Sequence, residues 1–347
     1  MRPPRKTLPI HSAEPLHVSV TRGGAEESSH LVDVALCDGD GTVIIGLGDI
    51  ENPVFPRSAM KPLQSIALAE MLPQMDELQR LSPAELSLIC ASHNAQDGHV
   101  EAVRGLLGKF DISPDNLSCG PQWSSDQTTL IEQARTMETP QRIHNNCSGK
   151  HAGMLVLGHL MGVDTHNYAD VTHPVQQRIL GILEAMTGVD LMGHPSGIDG
   201  CGAPAFSAPL GNWARAFALF ADGDSLAPAR AAACQNIRNG VASAPFLIAG
   251  DRRLCSELNA AFGDGITAKT GAEGVFAAAF HELGLGIMVK ARDGNKRAAE
   301  VALGAVIDCL GYETPTTLRP YFQPELRNWA GDLVGDIRVI GPIVTQA

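Results

Sequence analysis

Between residues 30 and 49 the apolar positions recur with period two. Val32, Val34 and Leu36 alternate on one arm and Val43, Ile45 and Leu47 on the other, around Asp38-Gly39-Asp40-Gly41. This is the pattern of a β-hairpin. The period then lengthens. Met60, Leu63, Ile66, Ala67 and Met71 fall on one helical face, and Pro62 suits a place near the helix start. Ser82-Pro83-Ala84-Glu85 reads as a capping box opening a helix that runs through Leu86 and Ile89 and ends near Ala91-Ser92-His93-Asn94. Val100, Val103, Leu106, Leu107 and Phe110 mark another. Residues 149–162 are apolar on most faces, with glycines at 149, 153, 158 and 162, as expected of a central buried helix. Pro174 opens a further one, with Val175, Ile179, Leu183 and Met186 as its stripe. Near the C-terminus short apolar runs return between glycines at 265–271, 274–280 and 285–291. A long helical pattern over 296–311 follows the turn Asp293-Gly294-Asn295.

A hairpin at one end, strands and a helix at the other and helices between them predict an α/β chain. Its two ends pair into one antiparallel sheet with flanking helices, and the middle loops out as a helical lobe. The expected limits are about 15–65 and 240–347 for the sheet lobe and about 66–239 for the helical lobe, within one catalytic domain. The site is expected in the cleft between them.

Composition narrows the function classes. The 347 residues are 44% hydrophobic and 18% charged, the balance of a globular protein. A net charge of −12 with no basic stripe excludes a nucleic-acid scaffold. The basic start lacks the apolar core of a secretory signal, and no run is long enough to span a membrane. A cytoplasmic protein with no membrane partner is the expectation, and most of its eight cysteines should be reduced and buried.

Three stretches carry chemistry. In Ser58-Ala59-Met60-Lys61 the serine and lysine share a face of the first helical turn, where a neutral lysine can take the serine's proton. A plain helix cap with a solvated lysine fits the same four residues. Far downstream, Lys269-Thr270-Gly271 ends a predicted strand, completing two elements of the layout found in penicillin-interacting serine enzymes. The Ser-Asp-Asn element of that layout is absent, but Ser92 stands at a helix C-terminus where its serine would be. Residues 145–153 fail as a phosphate loop, since His144 and His151 occupy the glycine and hydroxyl positions. They leave Cys147 and Lys150 at a helix N-terminus, which favours a thiolate and a neutral amine. Cys201 lies in a loop rich in glycine and proline. With a third ligand and a water, two thiolates would make an open zinc site, although their spacing is no metal motif and buried thiols fit equally.

Taken together, PRSAMKPLQ (56–64), NNCSGKHAGML (145–155) and GIDGCGAPAFSAPL (197–210) resemble the bacterial asparaginases of the Rhizobium etli inducible type, over roughly residues 15–345. The resemblance implies a glutaminase/class A β-lactamase-like fold, a homodimer, and hydrolysis of L-asparagine to L-aspartate and ammonia. It implies two Ser-Lys tandems, Ser58 with Lys61 and Ser92 with Lys269, Ser58 being the expected nucleophile. It further implies one zinc ion held by Cys147, Lys150 and Cys201, and substrate contacts from Arg57, His151 and Asp199. One departure stands near the N-terminus, where His30 is not followed by the expected glycine. The competing expectations are a glutaminase, one methylene away in substrate, another serine acyltransferase of the same fold, and a non-catalytic zinc- or ligand-binding protein.

Overall fold

The computed structural model describes residues 7–343; the first six residues of the basic start lie outside the described residues. The hairpin is present. Strand Ala25–Asp38 turns at Gly41, whose N–H bonds to Asp38 O, and returns as Val43–Leu47 with Ile45 opposite Leu36. Its burial is not alternating: residues 32–37 are buried without a break. Helices Leu210–Asp222 and Lys296–Cys309 both pack against this strand, so both of its faces are covered.

The chain divides into two compact units. The first comprises the residues up to Ala59, Ala208–Asp222 and those from Ala268 onward. It is built on a nine-stranded sheet in which Leu333–Ile340 pairs with Leu16–Arg22, Leu16–Arg22 with Ala25–Asp38, and Ala25–Asp38 with Leu285–Ala291, all antiparallel. Val275–Phe280 and Ile266–Thr270 continue it, and the short Ile10–Ser12 joins Val43–Leu47 in parallel. The two ends of the chain thus meet in one sheet, as the pattern predicts. Asp33, buried within the sheet, is held by the Arg292 guanidinium through Nη2 at 2.7 Å and Nε at 2.9 Å.

The second unit comprises Met60–Ser207 and Gly223–Thr267 and is helical. Its helices include Lys61–Ala69, Pro83–Ile89, Asp97–Gly108, Ser148–Leu160, Pro174–Thr187, Pro228–Ser243 and Leu254–Phe262. The Ser82/Glu85 capping box forms with both reciprocal bonds.

The unit limits differ from the expected 65 and 240. Leu210–Asp222 joins the sheet because Gly286 lets it lie directly on Leu285–Ala291: a Cβ there would stand 2.1 Å from Ala218 N. Residues 223–267 join the helical unit, where Gly240 admits Pro83–Ile89 in the same way, a Cβ meeting Pro83 O at 2.8 Å.

Candidate active site

Lys61 is the first residue of its helix, and Pro62 follows it in the first turn, where a missing N–H costs nothing. Its ammonium is 1% exposed and donates to Ala91 O, to Ser92 Oγ at 2.8 Å and to Cys147 Sγ at 3.1 Å. Three N–H groups meet three acceptors, so the buried amine is fully satisfied. Ser92 lies just past the helix Pro83–Ile89. Its segment is laced in place by Ser92 N–H to Ile248 O, His93 N–H to Asn146 O and Asn94 N–H to Ala249 O. Cys147 caps the helix Ser148–Leu160. Gly149 explains why that cap reaches Ser92: a Cβ would stand 2.4 Å from Leu88 O, so only glycine lets the two helix ends close up.

Cys201 sits in the turn of a small hairpin, Ser196–Ile198 with Pro204–Phe206, closed by Asp199 N–H to Ala203 O and Gly202 N–H to Asp199 O. Its sulfur accepts from Lys150 Nζ at 3.0 Å. The hydrogen bond from Cys201, joined by the charges of Lys61 and Lys150, holds the Cys147 thiol well below its ordinary range despite burial. Cys201, which gives that hydrogen bond and is itself buried, is pushed up. Burial alone would lower Lys150, but the attraction of the Cys201 and Cys147 sulfurs overrides it and raises the amine. Of the two thiols, Cys147 is the one held down and Cys201 the one pushed up. Half-buried Asp199 adds a further negative charge near Lys150.

His151, the next residue on the helix, is fully buried. Its Nδ1 faces the Tyr168 hydroxyl at 2.7 Å and Ser118 Oγ at 3.3 Å. Its Nε2 has no hydrogen-bond partner among the described residues. Burial, with the Lys150 and Lys61 charges, lowers its pKa far below the usual imidazole value.

Ser58, Arg57 and Lys269 belong to the sheet unit. Ser58 is half-buried on the short turn that begins at Arg57. Arg57 itself takes φ 50°, a left-handed backbone that is strained for a non-glycine residue. Lys269, fully buried on Ile266–Thr270, donates to Thr270 O at 2.8 Å. The end of that strand abuts the serine turn, since a Cβ on Gly271 would stand 2.3 Å from Pro56 O and 3.3 Å from Ala59 N. His30 pairs with Asp293 in the sheet unit, Nδ1 to Oδ2 at 2.5 Å.

The structure thus brings Lys61, Ser92, Cys147, Lys150 and Cys201 into one continuous network, with His151 on its flank. Within the helical unit the hydroxyl that Lys61 touches is that of Ser92. Tyr168 and Ser118 carried no signal in the sequence, being a lone tyrosine and a loop serine far from any motif. Among the described residues no three His, Cys, Asp or Glu side chains gather as metal ligands. The convergent donors are two sulfurs and one amine, a set of the softness that zinc accepts.

The sequence profile of the L-asparaginase II family matches residues 18–339. The chain belongs to the L-asparaginase II family. As a member it is an amidohydrolase acting on a small-molecule substrate. A search of curated proteins finds no match. Among solved structures, the "Crystal Structure Analysis of Mglu" is similar at 16% identity and TM-score 0.41, covering 82% of this chain and 69% of that one. A putative β-lactamase from Bacteroides dorei follows at 12% identity and TM-score 0.38, covering 80% and 84%. A Bacillus glutaminase stands at 14% identity and TM-score 0.31, covering 76% and 84%. Likeness at such scores adds nothing to the reading of the site. Among the described residues no helix of this L-asparaginase II family member is long and apolar enough to cross a membrane.

Proposed function

We propose that this family member is an L-asparaginase of the Rhizobium etli inducible type, hydrolysing the side-chain amide of L-asparagine through a serine activated by lysine. The observation that carries the reading is the 2.8 Å contact between Lys61 Nζ and Ser92 Oγ in a buried network. In this scheme Lys61, once neutral, takes the proton of the serine hydroxyl as the oxygen attacks the amide carbon. The carbon–nitrogen bond then breaks and the proton leaves with ammonia. Water attacks the resulting β-aspartyl ester, returns a proton to the serine and releases L-aspartate.

Ser92 is the hydroxyl that Lys61 holds, and the first reading makes it the nucleophile. A second reading assigns attack to Ser58, favoured by its greater exposure and by the strained Arg57 backbone before it. Lys269 would then serve that serine's side of the reaction, and Arg57, His151 and Asp199 would bind substrate.

Zinc would be held by Cys147, Lys150 and Cys201, whose donor atoms already converge. Bound there, it would supply positive charge for orienting the substrate and would displace the protons now on Lys150 and Cys201. A homodimer in the cytoplasm completes the proposal.

Ammonia release from L-asparagine and L-glutamine by wild type, Ser58→Ala and Ser92→Ala tests it. Asparagine turnover lost in Ser92→Ala and retained in Ser58→Ala supports the first reading, and the reverse supports the second. Preferred turnover of glutamine makes the enzyme a glutaminase, a change that one methylene of pocket space allows at about 1–3 kcal/mol. No turnover by zinc-loaded wild type overturns the asparaginase reading.

A further inference from the structure

The turn joining strand Ile266–Thr270 to strand Val275–Phe280 is tight, with Gly271 N–H donating to Val275 O at 2.8 Å. Its residues Glu273 and Gly274 have φ of 57° and 67°. Two successive left-handed residues mark a type I′ hairpin turn, whose first central place favours asparagine, aspartate or glycine. A glutamate there is strained. Lys290, half-buried on Leu285–Ala291, meets that residue directly: its Nζ donates to Glu273 O at 2.5 Å. The charges of Glu273, Asp293 and Asp33 all reach this amine, yet its hydrogen bond goes to the backbone carbonyl. Lys290 stands opposite Val275, and opposite residues share a face of the sheet. On that face a Cβ at Gly271 would lie 3.1 Å from Val275 Cβ, 2.3 Å from Pro56 O and 3.3 Å from Ala59 N. The amine, the turn, the strand end and the backbone on either side of Ser58 are thus linked in succession. The turn has no slack, since Ala291 N–H bonds to Gly274 O and a Cβ at Gly274 would stand 2.8 Å from Ala291 Cβ.

We propose that Lys290 is a positioning residue for the reaction. By holding the Glu273 carbonyl it fixes the strained turn, and through the turn it seats the strand end Lys269–Gly271 against the turn that carries Ser58. It acts through Gly271 and not on the substrate. This rests on the reading that places Ser58 and Lys269 in the amidohydrolase site. It goes beyond that reading by naming the side chain that sets their backbone in place. A hydrogen bond from a charged donor is among the stronger ones, so one amine suffices to hold a strained carbonyl.

The test uses the full chain as wild type, as Lys290→Met, and as Lys290→Met combined with Glu273→Gly. Methionine keeps the stem and removes the donor. Glycine takes the left-handed backbone without strain, so the turn no longer needs holding. Hydrogen exchange at the Gly271 amide and ammonia release from L-asparagine are the two measurements. In Lys290→Met the Gly271 amide should exchange about ten-fold faster or more, while the amides of helix Ser148–Leu160 keep their protection. Its kcat should fall about ten-fold with KM changed much less. The double variant should regain both the slow exchange and the kcat. Unchanged Gly271 exchange in Lys290→Met overturns the inference. So does a loss of kcat that Glu273→Gly fails to restore, which would put the amine on the substrate itself. A loosened Gly271 with kcat intact, in an enzyme that Ser58→Ala inactivates, overturns it as well. Wild type that releases no ammonia, or Ser58→Ala that keeps full turnover, sinks the underlying reading of the site instead. The exchange at Gly271 is read without turnover and still decides whether Lys290 holds the turn.

Discussion

Lys61 and Ser92, 31 residues apart in sequence, form a hydrogen bond of 2.8 Å inside a shell that leaves the lysine 1% exposed. A lysine with this little solvent is held by what touches it, and two of its three acceptors, Ala91 O and Cys147 Sγ, are not the serine. The site therefore depends on one amine at the junction of three chain segments. Lys61→Met keeps the stem and removes the amine. The expected outcome is a kcat for amide hydrolysis lower by about 10³-fold or more, the scale of a lost general base. Lys61→Arg should fail as well, since a guanidinium stays protonated and its planar fork does not fit a point-charge pocket. Steady-state ammonia release checks both. Turnover within ten-fold of wild type in either variant would remove Lys61 from the chemistry.

The two thiols and Lys150 make a second test. Cys147, Cys201 and Lys150 hydrogen-bond one another without metal, so a metal ion must displace protons to enter. Purified protein dialysed against zinc should hold about one equivalent, a single tetrahedral site having three protein ligands and one open position. Cys147→Ala and Cys201→Ala should each abolish that equivalent, measured by elemental analysis. Wild type that binds no zinc above the level of both variants would leave the network as a hydrogen-bonded thiol–amine cluster.

Two glycines separate fold from function. Gly286 admits the helix Leu210–Asp222 onto the sheet, where a Cβ would strike backbone at Ala218 N and Ala214 O. Neither atom can move alone, so Gly286→Ala should destabilise by about 2–3 kcal/mol in urea unfolding, the scale of an overpacked core. Its folded fraction should retain kcat. Gly271 instead abuts Pro56 O and Ala59 N, on either side of Ser58. Gly271→Ala should push that turn aside. If Ser58 takes part in the reaction, activity falls well before stability does; equal effects of the two substitutions on kcat would count against Ser58.

Much of the fold could be read before the structure because the signals were local. The hairpin, the capping box at Ser82, the helix beginning near Gly149 and the three strands after residue 265 each rest on periodicity or a cap within a dozen residues. The strands Leu16–Arg22 and Leu333–Ile340 were not drawn, although Ile337 pairs with Val20, because that partnership joins opposite ends of the chain. The helix Leu210–Asp222 was not anticipated in the sheet unit, since its place there depends on a missing Cβ at Gly286. At the site, the residue types Lys61, Ser92, Cys147 and Cys201 stood out by motif and resemblance. Their pairing did not. The contact of Ser92 with Lys61 depends on the lacing of residues 92–94 to Ile248, Asn146 and Ala249, and no short window of sequence contains that lacing. Tyr168 was invisible for the same reason.

The buried column beneath Ser92 sets how the protein should respond to acid. His93 stacks on His99 at 4.9 Å, and His99 on Phe246 at 4.5 Å, with His99 Nε2 donating to Phe246 O. Burial outweighs that hydrogen bond and lowers the His99 pKa to about 4, while His93, wholly enclosed, is lowered still more clearly. Unfolded, each ring titrates near 6.5. Between pH 6.5 and about 4 the unfolded chain therefore binds protons that the native protein refuses, and stability falls as pH falls through that window. Above 6.5 neither state is charged and the contribution is complete. For His99 alone the loss is on the order of 3 kcal/mol. Urea unfolding of wild type at pH 7.0 and at pH 4.5, two assay conditions spanning about the window set by the linkage relation, should show that drop. His99→Gln keeps a donor for Phe246 O but has no titration in the window. It should start less stable at neutral pH and yet lose less between the two conditions. An equal loss in both proteins would place the acid sensitivity elsewhere than in this column.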